Sequence, residues 1–361
     1  MHAVAHKVPH ASFLLITGSP VIETLPPLPA NADYVKIPTI VKTGVKGSQP
    51  PHLPIALAEV QFMRERLITE AIVHYQPHIF LVDNFPLGVQ RELLPALHEA
   101  KRMSARLVLG LRDIVDAPEI VRSEWHRQGI YEILDRYYDR ILVYGIREVL
   151  DAVKAYELPR RIAEKLHYCG YVTEQSLKAL SPEEVHEEIG FNGRFILATG
   201  GGGGDAFPLL QTFISAMRLI PKWKGVIFTG PLMGSADRKA LKAQLNGCPN
   251  VIIRQAVKDL RSYLDAADVV VSMCGYNIAA EILVQKTRAI VVPRTWRYGE
   301  HNNRAQANQE WEQIMRAQAL SKLGLVDLIE PEALKPRLLA NRILQALKQP
   351  KTKFKIPVNV E

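Results

Sequence analysis

The stretch RFILATGGGGGDAFPLLQTFISAMRL, residues 194–219, carries the transition that decides the fold. It opens with a short continuous apolar run through Phe195, Ile196 and Leu197, which has the length and composition of a buried strand. Five consecutive glycines follow, Gly200, Gly201, Gly202, Gly203 and Gly204, and a helical pattern begins near Asp205 or Ala206. Glycines reach backbone angles closed to other residues, and no side chain stands between their N–H groups and a ligand. Beside a helix N-terminus, with its partial positive charge and unpaired donors, such a loop suits a phosphate. The Lys and Ser/Thr of a Walker loop are missing after the glycines, which argues against an ATPase or GTPase. The next strand, 225–229, closes on Gly230-Pro231 where a dinucleotide fold wants an acid, so NAD is disfavoured. A diphosphate-binding loop and a plain glycine-rich turn remain as readings of the motif.

The same strand-then-helix rhythm extends in both directions and predicts parallel sheets with crossover helices. In the first half, strands are expected at 13–17, 34–37, 79–83, 106–111, 141–144 and 166–169. The clearest helix runs from about Ile55 to Tyr75, with Val60, Met63, Leu67 and Ala71 on one stripe and Arg64, Glu65 and Glu70 off it. A polar, acidic stretch then separates the halves; its Ser181-Pro-Glu-Glu is a helix start with Ser at the N-cap and Pro in the first turn. In the second half, strands are expected at 194–199, 225–229, 251–254, 269–273, 289–292 and 326–329. The chain therefore divides into an α/β domain over 1–170, a linker over 171–193, a second α/β domain over 194–345 and a tail over 346–361.

Composition narrows the function classes. A chain of 361 residues is long enough for two cores, and 47% hydrophobic with 23% charged residues is globular rather than disordered. Lys plus Arg is 45 against 37 for Asp plus Glu, a net +8 with no dense basic block, which speaks against nucleic acid as the partner. Such a surface reads first as an ordinary, mildly basic cytosolic exterior, and second as one suited to an anionic small molecule or to peripheral contact with a membrane. Three cysteines without C-x-x-C spacing support neither a disulfide framework nor a zinc knuckle. No apolar run approaches the ~18 residues of a spanning helix and no secretion signal opens the chain, so the expected compartment is the cytoplasm.

Two further segments carry chemistry. In residues 266–294, AADVVVSMCGYNIAAEILVQKTRAIVVPR, a buried strand ends at Cys274-Gly275, and the helix after it places Asn277 and Glu281 four residues apart on one face. Ligands of open α/β sheets sit beyond the carboxyl ends of strands, so Gly275, Asn277 and Glu281 should share a crevice with the glycine loop. A carboxylate there can accept hydrogen bonds from both hydroxyls of a ribose. A polar segment after the next strand carries Arg294, Arg297, Glu300, His301 and Arg304, with the arginines as candidate counterions for a diphosphate.

The order of these pieces, glycine loop, AAD-strand-G-x-N-x-x-x-E helix, strand-Pro-Arg and a polar pair opening a helix, resembles the C-terminal domain of GT-B glycosyltransferases. Val82-Asp-Asn-Phe-Pro-Leu-Gly88, Leu109-Gly-Leu-Arg-Asp-Ile114 and Leu142-Val-Tyr-Gly145 are similar to a bacterial group of predicted glycosyltransferases related to the N-acetylglucosaminyltransferase that makes lipid II. The resemblance implies two doubly wound Rossmann-like domains facing a cleft, with the N-terminal one short of its first strand. It implies a nucleotide-diphosphate sugar donor, UDP-linked, held by the second domain, and an acceptor held by the first. Gly200 to Gly204 would then cradle the diphosphate, Gly275 and Asn277 would lie against nucleotide or sugar, Glu281 would bind the ribose, and Glu300 and His301 would match the family's acid–glutamine pair.

Direct displacement at the anomeric carbon needs a base for the acceptor hydroxyl and relief of charge on the departing diphosphate. Asp83, at a strand's carboxyl end, and Asp113, beside Arg112, are the candidates for base or acceptor contact. No D-x-D motif occurs, so transfer without a metal or other cofactor, with inversion, is the expectation. The alternatives are a nucleotide-sugar-binding protein without turnover and a UDP-sugar 2-epimerase.

Overall fold

The computed structural model describes residues 1–20, 22, 27–43, 47–51, 53–173, 179–257, 259–294 and 304–349. Strands of the first half are β1 (Phe13–Thr17), β2 (Ala32–Lys36), β3 (Val41–Thr43), β4 (Gly47–Gln49), β5 (Ile79–Asp83), β6 (Arg106–Arg112), β7 (Arg140–Tyr144) and β8 (Leu166–Tyr168). Those of the second half are β9 (Phe195–Thr199), β10 (Lys224–Phe228), β11 (Val251–Arg254), β12 (Val269–Ser272), β13 (Ala289–Val291) and β14 (Asp327–Leu328). None of the helices among the described residues is long and apolar enough to cross a membrane.

The second half is one parallel sheet in the order β11-β10-β9-β12-β13-β14. Its central strands are apolar over most of their length because both faces are covered. Every residue of β9, β12 and β13 is buried. Successive side chains point to opposite faces. Ile196 and Ala198 thus join one core with Leu209, Phe213 and Met217 of helix Phe207–Leu219 and with Leu339 and Ile343 of helix Pro336–Lys348. Phe195 and Leu197 face the other core, with Ile278 and Ile282 of helix Tyr276–Gln285 and Ala317 and Leu320 of helix Arg304–Lys322. That second core also takes in Ile114, Ile146, Val149 and Tyr171, so the two halves of the chain are joined by a shared apolar interior.

The first half is assembled differently. A parallel four-stranded sheet runs β5-β6-β7-β8, a separate parallel pair is formed by β1 and β2, and β3 and β4 make an antiparallel hairpin that the residue pattern does not predict. β1 and β5 each have one hydrogen-bonded neighbour, so two parallel sheets stand where one sheet short of its first strand is expected. Between the halves, Ser181 caps helix Pro182–Ile189 as expected, with reciprocal bonds to Glu184, and Val185 and Ile189 bury in the shared core.

The helix expected from Ile55 spans Leu57–Tyr75, but its inward face is not the predicted one. Val60, Arg64, Ile68 and Ile72 are buried, whereas Met63 and Leu67 are about two-fifths exposed, at 42% and 41%. The reason is Arg64. Its guanidinium makes a bidentate pair with the buried Glu92 at 2.6 Å and donates to the Pro38 carbonyl at 2.5 Å, which turns the helix about its axis relative to a purely apolar stripe.

Candidate functional site

In the second half, β10 and β11 lie on one side of β9, and β12, β13 and β14 on the other. The chain thus reverses its direction of travel across the sheet between β9 and β12, and the crevice beyond the carboxyl ends of these two strands is the expected binding position of such a sheet. β9 delivers the glycine loop there and β12 delivers Cys274-Gly275, with Ser272 paired to Thr199 across the ladder. Both motifs read from the sequence as strand ends, and the topology makes those strands neighbours.

The five glycines divide by function. A Cβ on Gly200 would fall 2.1 Å from that of Ala206, and one on Gly203 would fall 1.9 Å from the Thr229 carbonyl oxygen. These two glycines let the loop pass between its own helix and the end of β10, where the Leu232 amide donates to the Gly202 carbonyl at 2.9 Å. Gly201 has positive φ, open space around its Cβ position and an amide donating to Thr199 Oγ1 at 3.1 Å. Gly202 and Gly204 are exposed, so 201, 202 and 204 form the side of the loop open to a ligand. The helix starts at Phe207, a little later than expected, with Pro208 in its first turn. Asp205, just before it, is ion-paired with Arg294, so Arg294 already has a counter-charge inside the protein.

After β12, Cys274 is fully buried and adopts φ of +64°, rare for a residue with a side chain. Gly275 is the extended N-cap of helix Tyr276–Gln285, on which Asn277 is exposed and Glu281 half-buried, one turn apart. A Cβ at Gly275 would lie 3.7 Å from Gln313 Nε2, and Gln313 Oε1 accepts from the Arg294 amide at 3.0 Å. Gln313 thus holds the segment after β13 and lies close to the start of the Asn277–Glu281 helix. Arg297, Glu300 and His301 lie outside the described residues, as does the side chain of Arg304.

The two acids expected in the first half differ in placement. Asp83 ends β5 and is exposed; partial burial holds its carboxyl above the usual range, while Arg112 at the end of β6 pulls the other way. Tyr144, at the end of β7, lies across Gly110, whose Cβ would otherwise strike the tyrosine hydroxyl oxygen at 2.1 Å. Burial and the Asp83 charge push the Tyr144 hydroxyl up to about 12. Arg112 also sits 5.6 Å from the ring centre of Tyr276, which links the Asp83 side of the site to the first turn of the Asn277–Glu281 helix.

Asp113 has no such open face. It is 1% exposed, and its oxygens accept from the Ile114 amide, from the Tyr171 hydroxyl at 2.9 Å and from Arg316 Nε and Nη2 at 2.7–3.1 Å. Its ion pair is with Arg316, more than two hundred residues away, rather than with the neighbouring Arg112. An acceptor hydroxyl has no approach to this carboxylate in this arrangement, which corrects the expectation of a base or acceptor contact. Neither Arg316 nor Gln313 belongs to a motif recognisable in the sequence. The available signal was their spacing with Ala317 and Leu320, which puts two polar groups on the inward stripe of helix Arg304–Lys322.

No protein-family model matches the chain. A curated relative, the UDP-N-acetylglucosamine–N-acetylmuramyl-(pentapeptide) pyrophosphoryl-undecaprenol N-acetylglucosamine transferase of Caldicellulosiruptor saccharolyticus, is 23% identical over 323 residues, covering 82% of this chain and 79% of that protein. Among solved structures, MurG of Acinetobacter baumannii superposes with a TM-score of 0.54 at 13% identity, over 96% of this chain and 86% of its own. A UDP-glucosyltransferase from Polygonum tinctorium gives 0.62 at 11% identity, over 96% and 86%. A UDP-N-acetylglucosamine 2-epimerase, so described for Listeria monocytogenes, gives 0.58 at 13%, over 94% and 88%. In fold the chain is similar to these GT-B glycosyltransferases, and in sequence it is similar to the N-acetylglucosamine transferase of Caldicellulosiruptor saccharolyticus.

Proposed function

We propose that this chain transfers a sugar from a UDP-sugar to an acceptor hydroxyl by direct displacement, with inversion at the anomeric carbon. The observation that carries the proposal is the meeting of the Gly201–Gly204 loop and the Gly275–Glu281 helix start at the switch point between β9 and β12. Backbone amides of the loop and the N-termini of helices Phe207–Leu219 and Tyr276–Gln285 would hold the diphosphate. Glu281, one turn into the second helix, would accept from the ribose hydroxyls. As the bond between C1 and the phosphate oxygen breaks, negative charge gathers on the departing UDP, where oriented amides stabilise it without reorganising.

Asp83 is the proposed base: its exposed carboxylate would take the proton of the acceptor hydroxyl as the new C1–O bond forms. A carboxyl held above its usual range is better matched to proton acceptance near neutral pH, provided it is ionised. The absence of a D-x-D motif favours a route without a metal, and the unpaired thiols of Cys169, Cys248 and Cys274 suit the cytoplasm.

Calorimetric titration with UDP and UDP-sugars tests the donor reading. Saturable binding is expected, with affinity reduced about tenfold, or 1.4 kcal/mol, in Glu281→Ala. Absence of binding at millimolar UDP would overturn the reading. NMR of the sugar after incubation separates the chemistries: a new glycosidic linkage supports transfer, inversion at C2 would assign an epimerase, and an unchanged sugar across a broad acceptor panel would assign a binding protein.

A further inference from the structure

The halves of the chain meet in a buried polar cluster that the proposed chemistry leaves unused. Arg316 is 0% exposed, and each of its nitrogens is committed. Nε and Nη2 donate to Asp113, Nη2 also to Glu312 one turn back at 2.6 Å, and Nη1 to the Cys274 carbonyl at 3.1 Å. Asp113 follows the end of β6 in the first half, and Tyr171, just after β8 at the start of the linker, completes its shell. Cys274 holds a left-handed backbone, costing of order 1 kcal/mol or more, that persists only where surrounding contacts dictate it. The Tyr276 ring, two residues on, lies 5.6 Å from both the Arg112 and the Arg316 guanidinium carbons.

We infer that Asp113 is a positioning residue for the donor site: by aligning Arg316 it fixes the Cys274 carbonyl, and with it the turn that starts the Gly275–Glu281 helix. The donor loop of one half is thereby set by a carboxylate of the other. A buried ion pair is often no better for stability than apolar groups of the same shape, so stability alone is a weak reason for this one. Its geometry supplies orientation: the planar fork that grips Asp113 at one edge leaves the remaining nitrogen aimed at a single carbonyl. The holding of the loop stands on contacts alone; its consequence for UDP rests on the function proposed above.

The three cysteines supply the test. Cys274 lies in the turn, Cys248 is buried in the other core of the same half, and Cys169 is partly exposed. Thiol labelling of the intact chain, read residue by residue by mass spectrometry, is expected to modify Cys169 readily and to spare the other two in the unmodified protein. In Asp113→Asn, Cys274 labelling should accelerate at least tenfold while Cys248 stays protected, as expected of local opening rather than global unfolding. The double variant Asp113→Ala with Arg316→Met removes the two fully buried charges together, leaves Glu312 with access to solvent, and keeps the chain folded if the single variant does not. It should melt near the parent temperature and still label Cys274 rapidly.

Exposure of Cys248 and Cys274 in parallel, or a double variant as protected as the parent, would overturn the inference. UDP titrations of the same proteins keep the two proposals apart. Selective Cys274 opening in a chain that binds no UDP defeats only the function proposed above. Tight UDP binding with Cys274 undisturbed in the variants defeats only the inference.

Discussion

The two halves of the molecule solve the same architectural problem to different degrees. In the second, a six-stranded sheet is sandwiched between helices, and β9, β12 and β13 are buried at every position. In the first, β5 is an edge: Ile79 is 64% exposed and Leu81 49%, while only Val82 of that strand is buried. Phe62, Met63 and Leu67 of helix Leu57–Tyr75 are exposed in the same half. A parallel sheet is stable when both faces are covered. The contrast teaches that the proposed donor site stands on the fully packed half, whose strand ends are held by core side chains on both faces. The proposed acceptor side stands on a half with an uncovered edge.

The comparison predicts unequal responses to the same kind of change. Asp83→Asn, on the open edge, should lower the transfer rate by about 10²–10⁴-fold, as loss of a general base does, with UDP affinity changed less than about twofold. Initial rates and calorimetry on one preparation check both halves of that statement. The pH dependence has a definite sign. With Asp83 as the proposed base, transfer would require its ionised carboxylate, so the rate should fall as pH drops through the raised folded value of Asp83. Folding moves oppositely: a carboxyl raised by burial binds its proton more tightly when folded, so its contribution favours the folded state as pH falls. A rate profile paralleling the stability profile would contradict the assignment.

Next in size is a matched pair of truncations. Leu197→Ala, in fully buried β9, should cost about 2–5 kcal/mol, whereas Leu81→Ala, in half-exposed β5, should change stability by about 0.5 kcal/mol or less. Denaturant unfolding of both variants measures the difference. Equal losses would mean that the outer face of β5 is covered after all. Smaller again is Gly203→Ala, at φ +88° against the Thr229 carbonyl, with an expected loss of about 1–3 kcal/mol and weaker UDP binding. Gly201→Ala, with open space around it, should show the milder strain of its backbone alone.

The same asymmetry governs what was legible in the sequence. Buried parallel strands read as unbroken apolar runs, so β9 to β13 were located to within one or two residues, and the Ser181 cap identified the start of its helix. The inward face of helix Leu57–Tyr75 was misread because it includes Arg64, and periodicity of apolar residues cannot register a charge whose partner, Glu92, is supplied by tertiary contact. Arg316 escaped notice for the same reason: Asp113 looks like a local acid beside Arg112 until the fold brings helix Arg304–Lys322 against it. The glycine loop was recognised as a unit, but its division into packing glycines and open ones depends on the end of β10, which sequence order does not place beside it.

The central claim, a UDP-binding site at the switch point of the second sheet, is tested most directly by hydrogen exchange of the intact chain with and without UDP. The account predicts new protection confined to amides of the Gly201–Ala206 and Gly275–Glu281 segments, with β5 to β8 unchanged. Protection elsewhere, or none at saturating UDP, would contradict it.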